Sequence, residues 1–244
     1  MKLKFAALAA LATIAALPVA VRAEDAPSTT FNVGVVTDYR YRGISQTRKQ
    51  PALQGGFDYS NPNGIYVGSW ASTIKWLKDF GARDTVEIDV YGGYKGEISK
   101  DLTYDVGVLA YVYPANTLSP DANTTEIYGA LTFGPVTAKY SHSLTNTFGN
   151  TDSKNSWYLD VSASFEVTNG WIVAPHIGHQ KITGPFSGVG TYTDYALTVS
   201  KDFKGIVPSI ALVGTDADKS FYSSGFNGKA LGKTTLVLGV KYNF

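Results

Sequence analysis

The chain has 244 residues, with 21 basic and 20 acidic side chains for a formal net charge of +1, and no cysteine. A balance so close to neutral leaves no electrostatic footprint for nucleic acid, and the lack of cysteine excludes a disulfide framework, a thiol nucleophile and thiolate-held zinc. Charged residues reach only 17% and aromatics 13%, the reverse of the bias that keeps a chain disordered, so this sequence is one that folds.

At the start, Lys2 and Lys4 precede an apolar run from Phe5 to Val21, and Val21-Arg22-Ala23 offers short side chains where a signal peptidase reads. Residues 1–23 read as a cleaved secretory signal peptide rather than a membrane helix, because the run falls short of the ~20 residues a span requires and Pro18 interrupts it. Its removal takes away three basic residues and no acidic one. The remainder, 24–244, then holds 18 basic against 20 acidic side chains, a net charge of −2.

After residue 23 the chain alternates. Val86, Ile88, Val90 and Tyr94 share one face, with Glu87, Asp89, Tyr91 and Gly93 on the other. The period of two recurs from Leu102 to Val112, from Trp157 to Val167 and from Leu236 to Phe244, and no helical stripe competes with it. Candidate strands fall at 31–44, 51–60, 64–76, 83–95, 101–113, 123–133, 135–145, 156–168, 171–182, 190–201, 206–214 and 232–244. These twelve mostly reach the ~9–11 residues of a tilted membrane strand.

The connections sort by parity. Those after even strands are short, as at Asn61-Pro62-Asn63, Gly134 and Asn169-Gly170. Those after most odd strands are long, as at Pro114 to Ala122, Asn146 to Asn155 and Thr215 to Leu231. Short turns on one rim and long loops on the other predict an all-β, transmembrane antiparallel barrel of about twelve strands, with periplasmic turns and extracellular loops. A soluble β-sandwich shares the alternation but has no reason to sort its connections, and its outer face would carry more lysine than these Gly-, Tyr-, Ser- and Thr-rich polar faces do.

Aromatics at strand ends read as two interfacial girdles: Phe31, Tyr59, Tyr66, Tyr94, Tyr104, Phe133, Trp171, Tyr242 and Phe244 toward the turns, and Tyr39, Tyr41, Trp76, Tyr113 and Trp157 toward the loops. The ending on Tyr242 and Phe244 resembles the signal read by the barrel-assembly machinery of outer membranes.

The run Thr37-Asp38-Tyr39-Arg40-Tyr41-Arg42-Gly43-Ile44-Ser45-Gln46-Thr47, then Pro51 to Tyr59, then Gly64-Ile65-Tyr66-Val67-Gly68-Ser69-Trp70-Ala71-Ser72, followed by Glu87 to Tyr94, resembles the TorF-type porin family, which carries the Gcw_chp domain. The resemblance is most specific over residues 31–95. It implies a Gram-negative outer-membrane barrel acting as a porin, in contact with membrane lipid and lipopolysaccharide. It carries over no catalytic or ligand residue.

With the apolar faces toward lipid, the opposite faces line a lumen. Its acids are Asp38, Asp58, Glu87, Asp89, Asp105, Glu126, Asp160, Glu166 and Asp194; its bases are Arg40, Arg42, Lys95, Lys139 and Lys241. Strand direction puts Asp38, Glu87, Asp89, Glu126, Asp160 and Asp194 in the extracellular half, near the height of Arg40 and Arg42. Charges of both signs at one level make a transverse field that selects solutes, and the acidic excess predicts a narrow pore with weak cation preference for small hydrophilic solutes. The alternative is a bore filled by these same groups, because eight strands pack solid whereas sixteen leave a channel. The chain would then act as a structural or adhesive barrel through its loops.

Catalysis is not expected. In Ser141-His142-Ser143 the histidine and either serine point to opposite sides of a strand, as do His176 and His179. No cofactor or metal is expected either, since Thr215-Asp216-Ala217-Asp218 lacks the glycine and glutamate that complete a calcium loop.

Overall fold

The computed structural model describes residues 26–83 and 85–244. Residues 1–23, expected from the sequence to be a signal peptide, lie outside the described residues. Twelve antiparallel wall strands close on themselves: β1 (Ser28–Val36), β2 (Ala52–Ser60), β3 (Ile65–Thr73), β4 (Val86–Ser99), β5 (Leu102–Val112), β6 (Thr124–Phe133), β7 (Val136–Ser143), β8 (Trp157–Ala163, resuming as Phe165–Thr168), β9 (Trp171–Lys181), β10 (Tyr192–Lys201), β11 (Ile206–Thr215) and β12 (Thr235–Asn243). Each pairs with its sequence neighbours, and β1 also pairs with β12, Val35 opposite Val240 and Asn32 opposite Asn243, so no edge is left free.

The exterior is apolar along every strand. Val33 and Val35 of β1, Val106 and Val108 of β5, Leu159 and Val161 of β8, and Leu236, Leu238 and Val240 of β12 are all exposed, with the intervening residues turned inward. Exposed valines and leucines in an unbroken band are what a bilayer, not water, stabilises.

The tight turns lie on one rim. At two of them both central residues take positive φ: Asn169 and Gly170 at 49° and 77°, and Lys204 and Gly205 at 58° and 94°. This is the primed geometry that matches the right-handed twist of the flanking strands. On the opposite rim the chain runs long, over residues 37–51, 74–85, 113–123, 144–156, 182–191 and 216–234.

Two expectations need correction. The first strand does not continue to residue 44. It leaves the wall after Val36, and residues 40–45 fold into the bore as a two-strand hairpin, with Arg40 opposite Ser45 and Tyr41 opposite Ile44. Its turn, Arg42-Gly43, has φ values of 43° and 77°, a primed turn with arginine where asparagine is usual. The alternation across 37–44 persists because a hairpin alternates just as a wall strand does.

The second correction concerns the loop-side girdle. Tyr39, Tyr41 and Tyr113 are buried inside, and Trp76 starts a short 3-10 helix, Trp76–Phe80, rather than ending a strand. On the turn side Tyr66 also points inward, where its hydroxyl donates to the Asp105 carboxylate and meets the Tyr128 hydroxyl. Phe31, Tyr94, Phe133, Trp171, Tyr242 and Phe244 do lie outside.

Candidate functional site

The inward hairpin organises the loop-side half of the bore. Asp38 sits at its base and serves as its internal clamp. One carboxylate oxygen accepts from Arg40 Nε at 2.7 Å and the other from Ser45 Oγ at 2.5 Å and Thr47 Oγ1 at 3.2 Å. Arg40 Nη1 then donates to the carbonyl of Gly43 in the hairpin's own turn at 2.9 Å and, across in the last loop, to that of Leu231 at 2.7 Å. This guanidinium is 2% exposed, and with Asp38 it forms a pair withdrawn from solvent.

The turn projects Arg42 across the bore. Its Nη2 donates to Glu126 of β6 at 2.7 Å and its Nη1 to Gln180 of β9 at 2.5 Å, while its Cζ stands 4.2 Å from the centre of the Tyr158 ring and 4.8 Å from that of Tyr41. Gln180 is held for this role by donating to the carbonyl of Trp157 at 3.0 Å. Glu126 has weaker support from the wall, from Ser143 Oγ at 3.4 Å and Tyr111 OH at 3.5 Å. Arg42 therefore ties the hairpin to two wall strands, β6 and β9, that stand about a quarter of the circumference apart. Gly43 behind it has no room for a side chain: a Cβ would meet Thr215 and, at 2.8 Å, the Cβ of Asp194.

Two further clusters complete this level. Glu87 of β4 accepts from Tyr39 OH at 2.7 Å and Tyr113 OH at 3.3 Å, whereas Asp89, fully buried two residues along, has no hydrogen-bond partner for either oxygen. Across the barrel His176 of β9 lies between Asp160 and Asp194, its Nδ1 2.5 Å from the first and its Nε2 2.7 Å from the second. Tyr158 OH adds a donor to Asp194 at 3.0 Å.

The eight charged residues singled out from the sequence are all buried, each at most 5% exposed: Asp38, Arg40 and Arg42 belong to the hairpin segment, Glu87 and Glu126 bond to it, Asp160 and Asp194 flank His176, and Asp89 stands unpaired beside Glu87. Of the remaining inward charges Lys139 is buried, Lys95, Asp105 and Lys241 are partly exposed, and Asp58 and Glu166 are exposed toward the turn-side end. Inward charges are thus sealed in the loop-side half and reached by solvent toward the turns.

Sequence reasoning missed His176, Gln180 and Tyr158 as members of this site. Their inward positions follow from alternation along β8 and β9, but their partners depend on register. His142, by contrast, lies on the outer side with Tyr140 and Asn155, while Ser141 and Ser143 are buried inside.

This architecture, a closed antiparallel barrel with an apolar exterior, short turns and a charged interior, is the porin-type outer-membrane fold. The KdgM porin, solved in complex with disordered oligogalacturonate, superposes with a TM-score of 0.56 at 8% identity, covering 89% of this chain and 99% of that one. The NanC porin does so with a TM-score of 0.56 at 12% identity, over the same 89% and 99%. No curated protein matches the sequence. Residues 22–244 match the family described as a bacterial protein of unknown function, Gcw_chp, and the chain belongs to that family.

Proposed function

We propose that this protein is an outer-membrane porin of a Gram-negative bacterium, exported by its signal peptide and inserted by the barrel-assembly machinery, that passes small hydrophilic solutes through a narrow bore closed by the 37–51 hairpin. The observation that carries the reading is the hairpin itself. It forms a two-strand sheet of its own, unpaired with the wall strands: Arg42 and the hydroxyls of Tyr39 and Tyr41 reach the wall, while Arg40, the Ser45 N–H and the Gln46 carbonyl bond to the backbone of neighbouring loops, so it can leave without unpairing the barrel. Opening joins the solvent-reached turn-side half to the outside.

The acidic excess on the inner wall supports a weak preference for cations. Enzymatic action finds no support, because the inward serines of β7 have no imidazole beside them. A second reading, a barrel that never conducts and acts through its loops, is favoured by the burial of the hairpin's charges. Planar-bilayer recordings in a salt gradient separate the two. Brief openings with a reversal potential on the cation side are expected of the porin; a silent bilayer with correctly folded protein overturns it.

A further inference from the structure

Above the hairpin, on the loop side, lies a cavity of about 610 Å³. All six long connections wall it: Gln46 from the hairpin segment, Trp76, Pro120, Phe148, Phe186 and Phe221 from the five loops that follow. Its volume falls within the ~300–1,000 Å³ range of small-molecule sites. Convergence of every loop on one cavity gives that rim a common purpose that a set of separate surface loops would not have.

The walls are aromatic and already rigid. Trp76 stands edge-on to Tyr113 with ring centres 5.5 Å apart, Phe148 edge-on to Tyr41 at 5.2 Å, and Tyr222 edge-on to Tyr192 at 5.0 Å and Phe221 at 4.9 Å. These rings belong to two separate hydrophobic clusters, one around Tyr41 and Tyr113 and one around Tyr192 and Leu231, and the cavity is bordered by both. Aromatic faces held by other rings can stack on a ligand without first being ordered.

The charge of the lining selects further. Among the described residues that border the cavity, Asp79 is the only charged one, and its carboxylate is spoken for: Arg48 Nη2 lies 2.9 Å away, Ser224 Oγ donates at 3.1 Å and the Phe226 backbone N–H at 3.0 Å. The other polar groups are uncharged amides and hydroxyls, Gln46, Gln180, Asn150, Ser45 and Thr151 among them. An anion or cation entering would lose hydration with no counter-charge to replace it. An uncharged ligand that offers apolar faces to the rings and hydroxyls to the amides would meet both kinds of wall.

We propose that this vestibule is a binding site for a neutral oligosaccharide of two or three rings, captured at the cell exterior directly above the hairpin. The choice of a sugar over a wholly apolar compound rests on the porin reading, which calls for a water-soluble solute. The experiment is titration calorimetry on the full folded barrel in detergent with maltotriose, cellotriose and, as the anionic counterpart, trigalacturonate, with tryptophan fluorescence recorded in parallel.

A neutral trisaccharide should bind with Kd of ~1 mM or tighter. Trp76→Ala and Phe221→Ala should each weaken it roughly tenfold or more, with unboiled gel mobility confirming that the variants fold. Phe221 lies in the outermost loop, so its variant keeps the test intact should the other fail to assemble. Absence of binding by both neutral sugars, equal or tighter binding of trigalacturonate, or wild-type affinity in the folded variants overturns the site. Saccharide binding beside a silent bilayer supports the site and removes the porin reading; open channels that bind neither neutral sugar remove the site alone.

Discussion

Replacing Arg42 with glutamine tests whether the hairpin is a gate. The change removes the guanidinium paired with Glu126, which is 1% exposed and is otherwise hydrogen-bonded only by the Ser143 and Tyr111 hydroxyls at 3.4 and 3.5 Å among the described residues. Breaking a buried pair from one side costs about 3–5 kcal/mol, most of it the penalty on the charge left behind. The opened state escapes that penalty, because water reaches Glu126 once the hairpin leaves. The ratio of open to closed barrels should therefore rise by roughly 10²- to 10³-fold, at about 1.4 kcal/mol per factor of ten.

Glu126→Gln should do less. Arg42 would keep Gln180 and the faces of Tyr158 and Tyr41. The double variant, with no charge on either side, should return to within about 1 kcal/mol of wild type, since removing both partners leaves nothing uncompensated. The assay is the fraction of time open in single-channel recordings, with unboiled gel mobility as the control for folding. The expected order of opening is Arg42→Gln, then Glu126→Gln, then the double variant. Equal open fractions in wild type and a folded Arg42→Gln protein, or a double variant as open as the single, would refute the gate.

Asp89 is buried without a partner, so Asp89→Asn should raise stability by about 1–3 kcal/mol, read from the temperature at which the compact gel species is lost; a fall would mean that the carboxylate has a partner after all. Phe244→Asp should lower outer-membrane levels more than Asn243→Asp does, because Phe244 is exposed on the outer face and stacks on Phe31 with centres 5.8 Å apart, while residue 243 turns inward. Equal levels by immunoblot would show that the outward aromatic is not what matters.

Most of the wall was legible because alternation and turn chemistry report on it directly. The Asn169-Gly170 pair marks its own turn, and the apolar phase of Val86 to Val90 or Leu236 to Val240 names the outer face. The hairpin was not legible, because Tyr39 and Tyr41 alternate with Asp38, Arg40 and Arg42 in the same rhythm as a wall strand, and Arg-Gly is not a usual primed-turn pair.

The histidine cluster was hidden by register. Counting back from the turn, which pairs Thr168 with Trp171, would set Asp160 opposite His179. An irregularity between Glu166 and Thr168 shifts the pairing by one, so Asp160 faces Gly178, which in turn faces Asp194 on the far side. The two aspartates then flank β9 at one height. Gly178 leaves the space into which Tyr158 OH projects, and His176 lies within reach of both carboxylates. Directly opposed residues share a face, so the one-residue bulge resets both the partners and the in-out phase of one strand across it, and positions beyond it cannot be counted from the turn.

The charge that holds the gate also sets what an open gate would pass. The 37–51 segment carries Asp38 against Arg40, Arg42, Arg48 and Lys49, four positive charges against one negative. The wall around it carries Glu87, Asp89, Glu126, Asp160 and Asp194, with Lys139 and His176 in partial compensation. When the hairpin withdraws, it takes its net positive charge with it and leaves a ring that is more acidic than the closed one. Cation preference should therefore be strongest in the openings themselves and weaker in any leak past the seated hairpin, and it should fade as salt shortens the screening length from about 10 Å at 0.1 M to 3 Å at 1 M. Because Arg42 leaves with the hairpin, Arg42→Gln should lengthen openings without moving their reversal potential, as should a substitution that loosens the hairpin by shape alone, such as Gly43→Ala; only the leak past the seated hairpin should become more cation-selective in Arg42→Gln.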